Sequence, residues 1–254
     1  MSVRLPGNSA CRLGSAIFLA CGICFAVQAG RTDVTYHLEP AKPLSRFDSS
    51  QIALLEKLNR ADGSHLARLG NLILPNRWDL DQLAYSPMPH SVPRFAATPK
   101  ALVVDLPTQL FGAYEFGNLV RWGPVSSGDR LHQTPPGVYY LNWNARIRIS
   151  SENNRWMMPW FFNFCNKIGL GLHQYTLPGR PASHGCVRLL LPDAKWLFYW
   201  GQGWALASDG QVLANGTPVL IVGGYDYGGD RPWLQPDWWA RGVMLTSSDV
   251  ASLR

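Results

Sequence analysis

Cysteine is scarce in this 254-residue sequence, and its distribution limits what it can do. Five cysteines occur, and three of them, Cys11, Cys21 and Cys24, fall within the first 29 residues. Only Cys165 and Cys186 follow. Two thiols exclude a disulfide-rich scaffold. They leave either a single bridge between Cys165 and Cys186 or two free thiols.

Charge is also sparse, and no cluster of basic residues occurs along the chain. Charged residues make up 16% of the sequence, and the formal net charge is +6. Residues 30–254 carry 21 basic and 17 acidic residues, a net charge of +4. A dispersed excess of this size excludes a nucleic-acid surface. It weakly favours an anionic cell-wall polymer as a partner.

A long apolar run occurs only at the N-terminus. Arg4 and Arg12 flank the start of the chain, the apolar run extends from Leu13 to Val27, and Val27-Gln28-Ala29 has the spacing of a cleavage site. This order predicts a secretory signal over residues 1–29, and therefore export to the periplasm or cell envelope. A retained membrane anchor and a lipoprotein box ending at Cys21 are the alternatives.

The region after the signal divides into an extended lead-in, residues 30–50, and a small helical module, residues 51–78. Ile52, Leu55 and Leu58 have helical spacing, and Asp48 three residues before Gln51 is a helix start signal. A turn, a second apolar face and the short strand 72–75 follow. This helix-turn-helix-strand order resembles a degenerate LysM module, a small glycan-binding unit. A helical appendage without a ligand is the alternative.

The rest of the chain has strand-rich character. Four prolines in residues 79–99 predict a linker or a loop wrapped over the next domain. Short apolar runs separated by turns predict a β-dominated domain over residues 100–224, with a hairpin turn at Gly117-Asn118 and one clear helix, Pro192–Trp200. Residues 225–254 contain three tryptophans and predict either a packed cap or a binding surface.

The stretch PASHGCVRL, residues 181–189, places Cys186 two residues after His184 in a loop of small residues. A cysteine attacks a carbonyl as the thiolate, which is scarce at neutral pH, so a nucleophile needs a nearby base. His184 is tethered too closely for in-line proton transfer, whereas His173 comes from a separate strand. We therefore predict Cys186 as nucleophile, His173 as base, and Gly185 as the hinge that turns backbone N–H groups into an oxyanion hole.

Two other interpretations of the same residues remain open at this point. Cys165, His173, His184 and Cys186 are a chemically acceptable zinc set, although their spacing matches no common zinc site. The second interpretation is that Cys186 is an inert thiol packed beside a hydrogen-bonded core histidine.

The cysteine loop, SHGCVRL, with a histidine upstream, resembles the signature of the YkuD-type L,D-transpeptidases, which remodel bacterial peptidoglycan. The resemblance extends over about residues 100–224 and includes ALVVDLPTQLFGAYEFGNLVRWGPVSSG, QTPPGVYYL, MMPWFFNF with GLGLH, and GTPVLIVG. It implies a mainly β (α+β) sandwich with a helix after the cysteine loop, preceded by the small helical module. It also implies that no metal or organic cofactor is needed. The usual His-Gly pair reads His173-Gln174 here, and the segment from His173 to Cys186 is short.

The resemblance implies a ping-pong reaction on peptidoglycan stem peptides. Cys186 would attack the third stem residue, the terminal D-alanine would leave, and an amine would take the acyl group, with His173 as base and then acid. The N–H groups of Gly185 and Cys186, with His184, would hold the oxyanion, Ser183 would orient His173, and Arg188 would bind a substrate carboxylate or brace the loop through a salt bridge. The alternatives are an L,D-carboxypeptidase or amidase that uses water, and a non-catalytic wall-binding protein whose N-terminal module binds glycan strands.

Overall fold

A computed structural model describes residues 34–41 and 43–250, so the predicted signal at residues 1–29 lies outside the described part. Its strands are β1 (Tyr36–Pro40), β2 (Asn71–Pro75), β3 (Lys100–Asp105), β4 (Leu110–Glu115), β5 (Asn118–Ser126), β6 (Gly137–Tyr140), β7 (Asn144–Ile149), β8 (Met157–Cys165), β9 (Leu170–Gln174), β10 (Val187–Leu189), β11 (Ala205–Leu206), β12 (Val212–Ala214) and β13 (Pro218–Val222). Its helices are α1 (Ser49–Asn59), α2 (Gly63–Leu66), α3 (Leu191–Trp200), α4 (Pro236–Arg241) and α5 (Ser247–Val250). Within these described ranges, no helix is long and apolar enough to cross a bilayer.

Nine strands form one sheet in the order β6-β13-β3-β4-β5-β10-β9-β8-β7. Most neighbours are antiparallel, but β13 with β3 and β10 with β9 are parallel. The turn between β4 and β5 consists of Phe116 and Gly117, one residue before the predicted Gly117-Asn118. Both residues have positive φ, as in the favoured two-residue hairpins. The prediction of a mainly β fold is confirmed.

Helix α3 follows β10 directly and packs on one face of the sheet. The predicted inner residues Ala194 and Leu197 are buried, whereas Phe198 is half-buried. Asp193 also lies in this interface, where its carboxylate is fully buried and pairs with Arg121 at 2.7 Å. An ion pair therefore helps to fix the helix that begins just after the cysteine loop.

The N-terminal region, residues 36–75, forms a strand-helix-helix-strand unit in which β1 and β2 pair antiparallel. The predicted lead-in therefore contributes a strand, and the capping box between Asp48 and Gln51 is present at the start of α1. The unit has a small core of its own, which comprises Leu55, Ala61, Leu66, Leu72 and Leu74. Leu54, Leu58 and Ile73 instead join the core beneath the large sheet, so the unit packs as part of the same body.

Residues 79–99 wrap over that shared core, since Tyr85, Met88, Val92 and Phe95 are all buried within it. The segment is thus the wrapped loop of the two predicted possibilities. The tail packs in the same core, because Trp233, Trp238 and Trp239 are buried there.

Candidate active site

The two predicted catalytic side chains come from neighbouring parallel strands. Arg188 in β10 pairs with His173 in β9, and Cys186 lies just before β10. Paired residues on parallel strands point to the same face of a sheet. Cys186, His173 and Arg188 consequently line one pocket.

The hydrogen bond of His173 defines which ring nitrogen carries the proton. Its Nδ1 lies 2.9 Å from the carbonyl oxygen of Gln174. Because a carbonyl oxygen can only accept, Nδ1 carries the proton and Nε2 holds the free lone pair. Burial lowers the pKa of His173 to about 4, against the opposing effect of the Gln174 bond and with a further lowering by the charge of Arg188. The imidazole is neutral at pH 7.

The Cys186 thiol is also neutral at pH 7. Burial raises the pKa of the Cys186 thiol, although the Gly171 N–H and the charges of Arg188 and Arg148 oppose that shift. A thiol with a raised pKa beside an imidazole with a lowered one does not form an ion pair. Both groups are therefore neutral at pH 7.

Ser183 and Gly185 have different roles from those predicted. The Ser183 hydroxyl donates to the carbonyl oxygen of Cys186 and accepts the N–H of Gly185 at 3.1 Å. Ser183 therefore closes the loop on itself and does not orient His173. The N–H of Gly185 is already used in this loop, so its predicted place in an oxyanion hole is not supported. Gly185 has φ +101, a conformation that glycine adopts without steric cost.

A second loop, residues 127–134, holds the cysteine loop in place. The N–H groups of Ala182 and Ser183 donate to the Ser127 carbonyl at 3.0 Å, and the Thr134 hydroxyl donates to the Gly185 carbonyl at 2.8 Å. That hydroxyl also accepts the N–H of Gly128 at 2.9 Å. Thr134 belongs to the QTPPG stretch that carried the resemblance, but spacing alone does not reveal a partner 51 residues away.

The N-terminal unit braces the segment that joins His173 to Cys186. The N–H of Asp62 donates to the Leu177 carbonyl at 3.0 Å, and its carboxylate accepts the N–H of Leu177 at 2.7 Å. The N–H of Gly179 donates to the Arg60 carbonyl at 3.0 Å. The turn after α1 thus supports the base of the cysteine loop.

Comparisons with known proteins found one matching family model and several similar solved structures. Residues 99–221 match the model of the YkuD family, described as the L,D-transpeptidase catalytic domain. This segment belongs to the YkuD family. Similar solved structures include an L,D-transpeptidase from Stackebrandtia nassauensis, with 27% identity and a TM-score of 0.41 over 50% of this chain and 57% of that one. Another, from Mycobacterium tuberculosis H37Rv, has 22% identity and a TM-score of 0.38 over 49% and 58%. The similarity thus covers less than two thirds of either chain. No match was found among the curated proteins.

One wall of the pocket comes from the β7–β8 hairpin, which sequence reasoning did not assign to the site. Arg148, at the end of β7, and Trp156, just before β8, both line the pocket that holds Cys186. Trp156 packs on His184 with ring centroids 4.6 Å apart. These residues lie in a hairpin with ordinary strand alternation, so the sequence carries no local signal for their role.

Arg188 packs on an aromatic ring and forms no ion pair. Its guanidinium carbon lies 4.6 Å from the Tyr175 ring centroid. Among the described residues, no carboxylate comes within salt-bridge distance of Arg188. The predicted alternative of a bracing salt bridge is therefore wrong, since the side chain rests on Tyr175 with its charge facing the pocket.

The two thiols are both free, which excludes the Cys165–Cys186 bridge in this structure. The zinc set predicted from Cys165, His173, His184 and Cys186 is not assembled either. Within residues 34–41 and 43–250, the group of metal-ligand side chains that lies close together is Asp129, His132 and His184. His184 thus faces a different set of neighbours from the one the sequence suggested.

Replacing Thr134 with valine is expected to weaken the cysteine loop. The change keeps the shape but leaves the Gly128 N–H and Gly185 carbonyl without their partner, each at a cost of about 1–3 kcal/mol. The free energy of unfolding, measured in urea, should be lower in Thr134→Val than in the wild type. The rate constant for alkylation of Cys186 should also differ between the two. Thr134→Ser, which keeps the hydroxyl, is the matched control, and equal behaviour of both variants would contradict the bracing role.

Proposed function

We propose that this protein is an exported peptidoglycan L,D-transpeptidase of the periplasm or cell envelope, with Cys186 as the acyl-accepting nucleophile and His173 as the base. One observation carries the proposal. The Cys186 thiol and the unprotonated Nε2 of a buried His173 belong to one pocket, and the Gln174 carbonyl fixes the tautomer that leaves this nitrogen free. The family assignment of residues 99–221 supports it.

The reaction begins with attack of the sulfur on the carbonyl carbon of the third stem residue. The thiol proton moves to Nε2 of His173, and an S–C bond forms. The peptide C–N bond then breaks, and the same nitrogen of His173 returns the proton to the departing D-alanine amine. An acceptor amine then attacks the thioester carbonyl, a new amide C–N bond forms and the C–S bond breaks. His173 takes the proton of the amine and passes it to the sulfur, which restores the thiol. No cofactor is required by this sequence of steps.

Two arginines in the pocket suit a substrate with a free carboxylate. Arg148 and Arg188 both line the pocket, and both act electrostatically on Cys186. A guanidinium binds a carboxylate through paired hydrogen bonds. The terminal carboxylate of a tetrapeptide stem therefore suits this pocket, and this preference would favour an exopeptide bond over an internal one.

The oxyanion is assigned to the backbone N–H groups of Cys186 and His184. Gly185 is set aside because Ser183 already accepts its N–H. Each preorganised backbone donor of this kind lowers the activation free energy of acylation by about 3 kcal/mol. The positive φ of Gly185 turns the peptide units on either side of it.

Incubation with purified sacculi rich in tetrapeptide stems tests the proposal, with muropeptides separated and weighed afterwards. New cross-links between third residues, with release of D-alanine, are expected for the wild-type chain and none for Cys186→Ala. Tripeptides without cross-links would assign the carboxypeptidase reaction instead. Unchanged muropeptides, together with equal sedimentation of both variants with sacculi, would favour the wall-binding alternative, in which the N-terminal unit binds glycan strands.

A further inference from the structure

We infer that Asp129, His132 and His184 form a divalent metal site of the zinc type at the mouth of the pocket that holds Cys186. Each residue offers one ligand atom, and these atoms lie within 4.8 Å of one another. Two imidazoles and a carboxylate, with a further position open to water, are a ligand set that zinc accepts. The inference concerns binding and does not depend on the proposed transpeptidation.

Two of the ligands are already held at a suitable spacing. Asp129 Oδ1 accepts the backbone N–H groups of Leu131 and His132 at 2.9 and 2.8 Å, which fixes the carboxylate. Its distance to His132 Nδ1 is 3.0 Å. Ligands bound about 2.0–2.2 Å from one zinc ion are separated by about 3 Å or slightly more. Binding would displace the proton now shared by the two side chains.

The third ligand comes from the cysteine loop and is tied to the first two. The N–H of Asp129 donates to the Ser183 carbonyl at 2.8 Å, and Gly128 and Ser183 form a parallel bridge. The rings of His132 and His184 stack with centroids 4.3 Å apart, and the tilted Trp156 ring packs against His184. Because stacked rings direct their nitrogen lone pairs side by side, the two exposed imidazoles turn about their side-chain torsions when they bind one ion.

The metal site lies close enough to Cys186 to affect access to its sulfur. His184 lines the same pocket as Cys186, two residues away along the chain. A cation held there would fix the His184 ring and narrow the approach to the sulfur. Zinc is thus expected to protect Cys186 from alkylation without contacting it.

Titration of the full chain with zinc chloride, followed by calorimetry, tests the site. One zinc ion per chain is expected for wild type and for Cys186→Ala, with affinity at least about tenfold lower in His132→Ala and Asp129→Asn. The matched control is His65→Ala, because His65 Nδ1 makes the same 3.0 Å contact with Asp62 in an i, i+3 pair that no third ligand joins. Cobalt(II) absorption, read on the same variants, reports the coordination directly.

Several outcomes would overturn the inference. They are no binding by the wild type, equal affinity in wild type and His132→Ala, or loss of binding in Cys186→Ala with retention in His132→Ala. The last result would assign the metal to the thiol. Circular dichroism of each variant separates loss of a ligand from loss of folding. Protection of Cys186 from iodoacetamide by zinc should disappear in His132→Ala, whether or not the chain proves to cross-link stem peptides.

Discussion

A carbapenem is expected to add its whole mass to the wild-type chain and nothing to Cys186→Ala. Attack of the thiol on the lactam carbonyl opens the ring, so the inhibitor stays attached as a thioester and no fragment leaves. His173→Ala should keep the adduct but slow its formation by about 10²–10⁴-fold, the usual contribution of a positioned general base. Intact-protein mass spectrometry over time measures both effects.

The two histidines near Cys186 should differ sharply in this experiment. His173 is buried with its Nδ1 proton held by the Gln174 carbonyl, whereas His184 is exposed, stacks on His132 and packs against a tilted Trp156 ring. His184→Ala is therefore the matched control and should cause a much smaller loss of rate. A larger loss in His184→Ala than in His173→Ala would reverse the assignment of the base.

The pH dependence of acylation follows from the same environment. Burial lowers the pKa of His173 to about 4, so Nε2 stays unprotonated well below the ordinary histidine value of about 6.5. As the pH falls, the acylation rate should hold until it approaches 4. Burial raises the pKa of Cys186, so alkylation by iodoacetamide should still increase with pH above the ordinary range of a cysteine. A fast, pH-independent alkylation near pH 6 would instead indicate a thiolate–imidazolium pair.

The catalytic residues proposed from the sequence are those whose chemistry is visible within a short stretch. Cys186 next to small residues, and His173 at the end of a separate strand, satisfy a requirement that any thiol nucleophile has. Ser183 was assigned the wrong partner, because a hydroxyl in a tight loop reaches its own backbone more easily than a side chain on another strand. Arg148 and Trp156 reach the pocket through the pairing of β7 with β8, which spacing along the chain does not show.

In the fold, too, local features could be predicted from the sequence and contacts between distant positions could not. Short apolar runs and helix start signals predicted the β4–β5 hairpin, α1 and α3, with errors of a few residues at their ends. The sequence did not reveal that residues 36–75, the wrapped segment 79–99 and the tail share one core, because such contacts join positions far apart in the chain. The three tryptophans of the tail pack around the Arg60 guanidinium, a contact that the sequence does not show.

Replacing Arg60 with alanine is expected to lower the free energy of unfolding by about 3–5 kcal/mol, as for loss of a buried charged group with its partners. Arg60 is fully buried, and its guanidinium carbon lies 5.0, 5.2 and 5.1 Å from the ring centroids of Trp233, Trp238 and Trp239. Burial lowers its pKa to about 9, with Asp105 opposing the shift, so the group is still charged at pH 7. Alanine would remove the cation from three aromatic faces and leave a cavity.

The same substitution would leave the Thr108 carbonyl without its donor, which Arg60 Nε supplies at 3.1 Å. Urea unfolding followed by tryptophan fluorescence measures the effect at the residues concerned. Arg68→Ala, at an exposed position eight residues later, is the control and should change stability by less than about 0.5 kcal/mol. Arg60→Lys keeps a charge but not the planar group, so an intermediate loss is expected. If Arg60→Ala matched Arg68→Ala, the tail would have to be held by its apolar contacts alone. A large loss of stability would show instead that the buried Arg60 side chain joins the N-terminal unit, the tail and the end of β3. Arg60 would then also stabilise its own turn, whose backbone carbonyl accepts the N–H of Gly179 at the base of the cysteine loop.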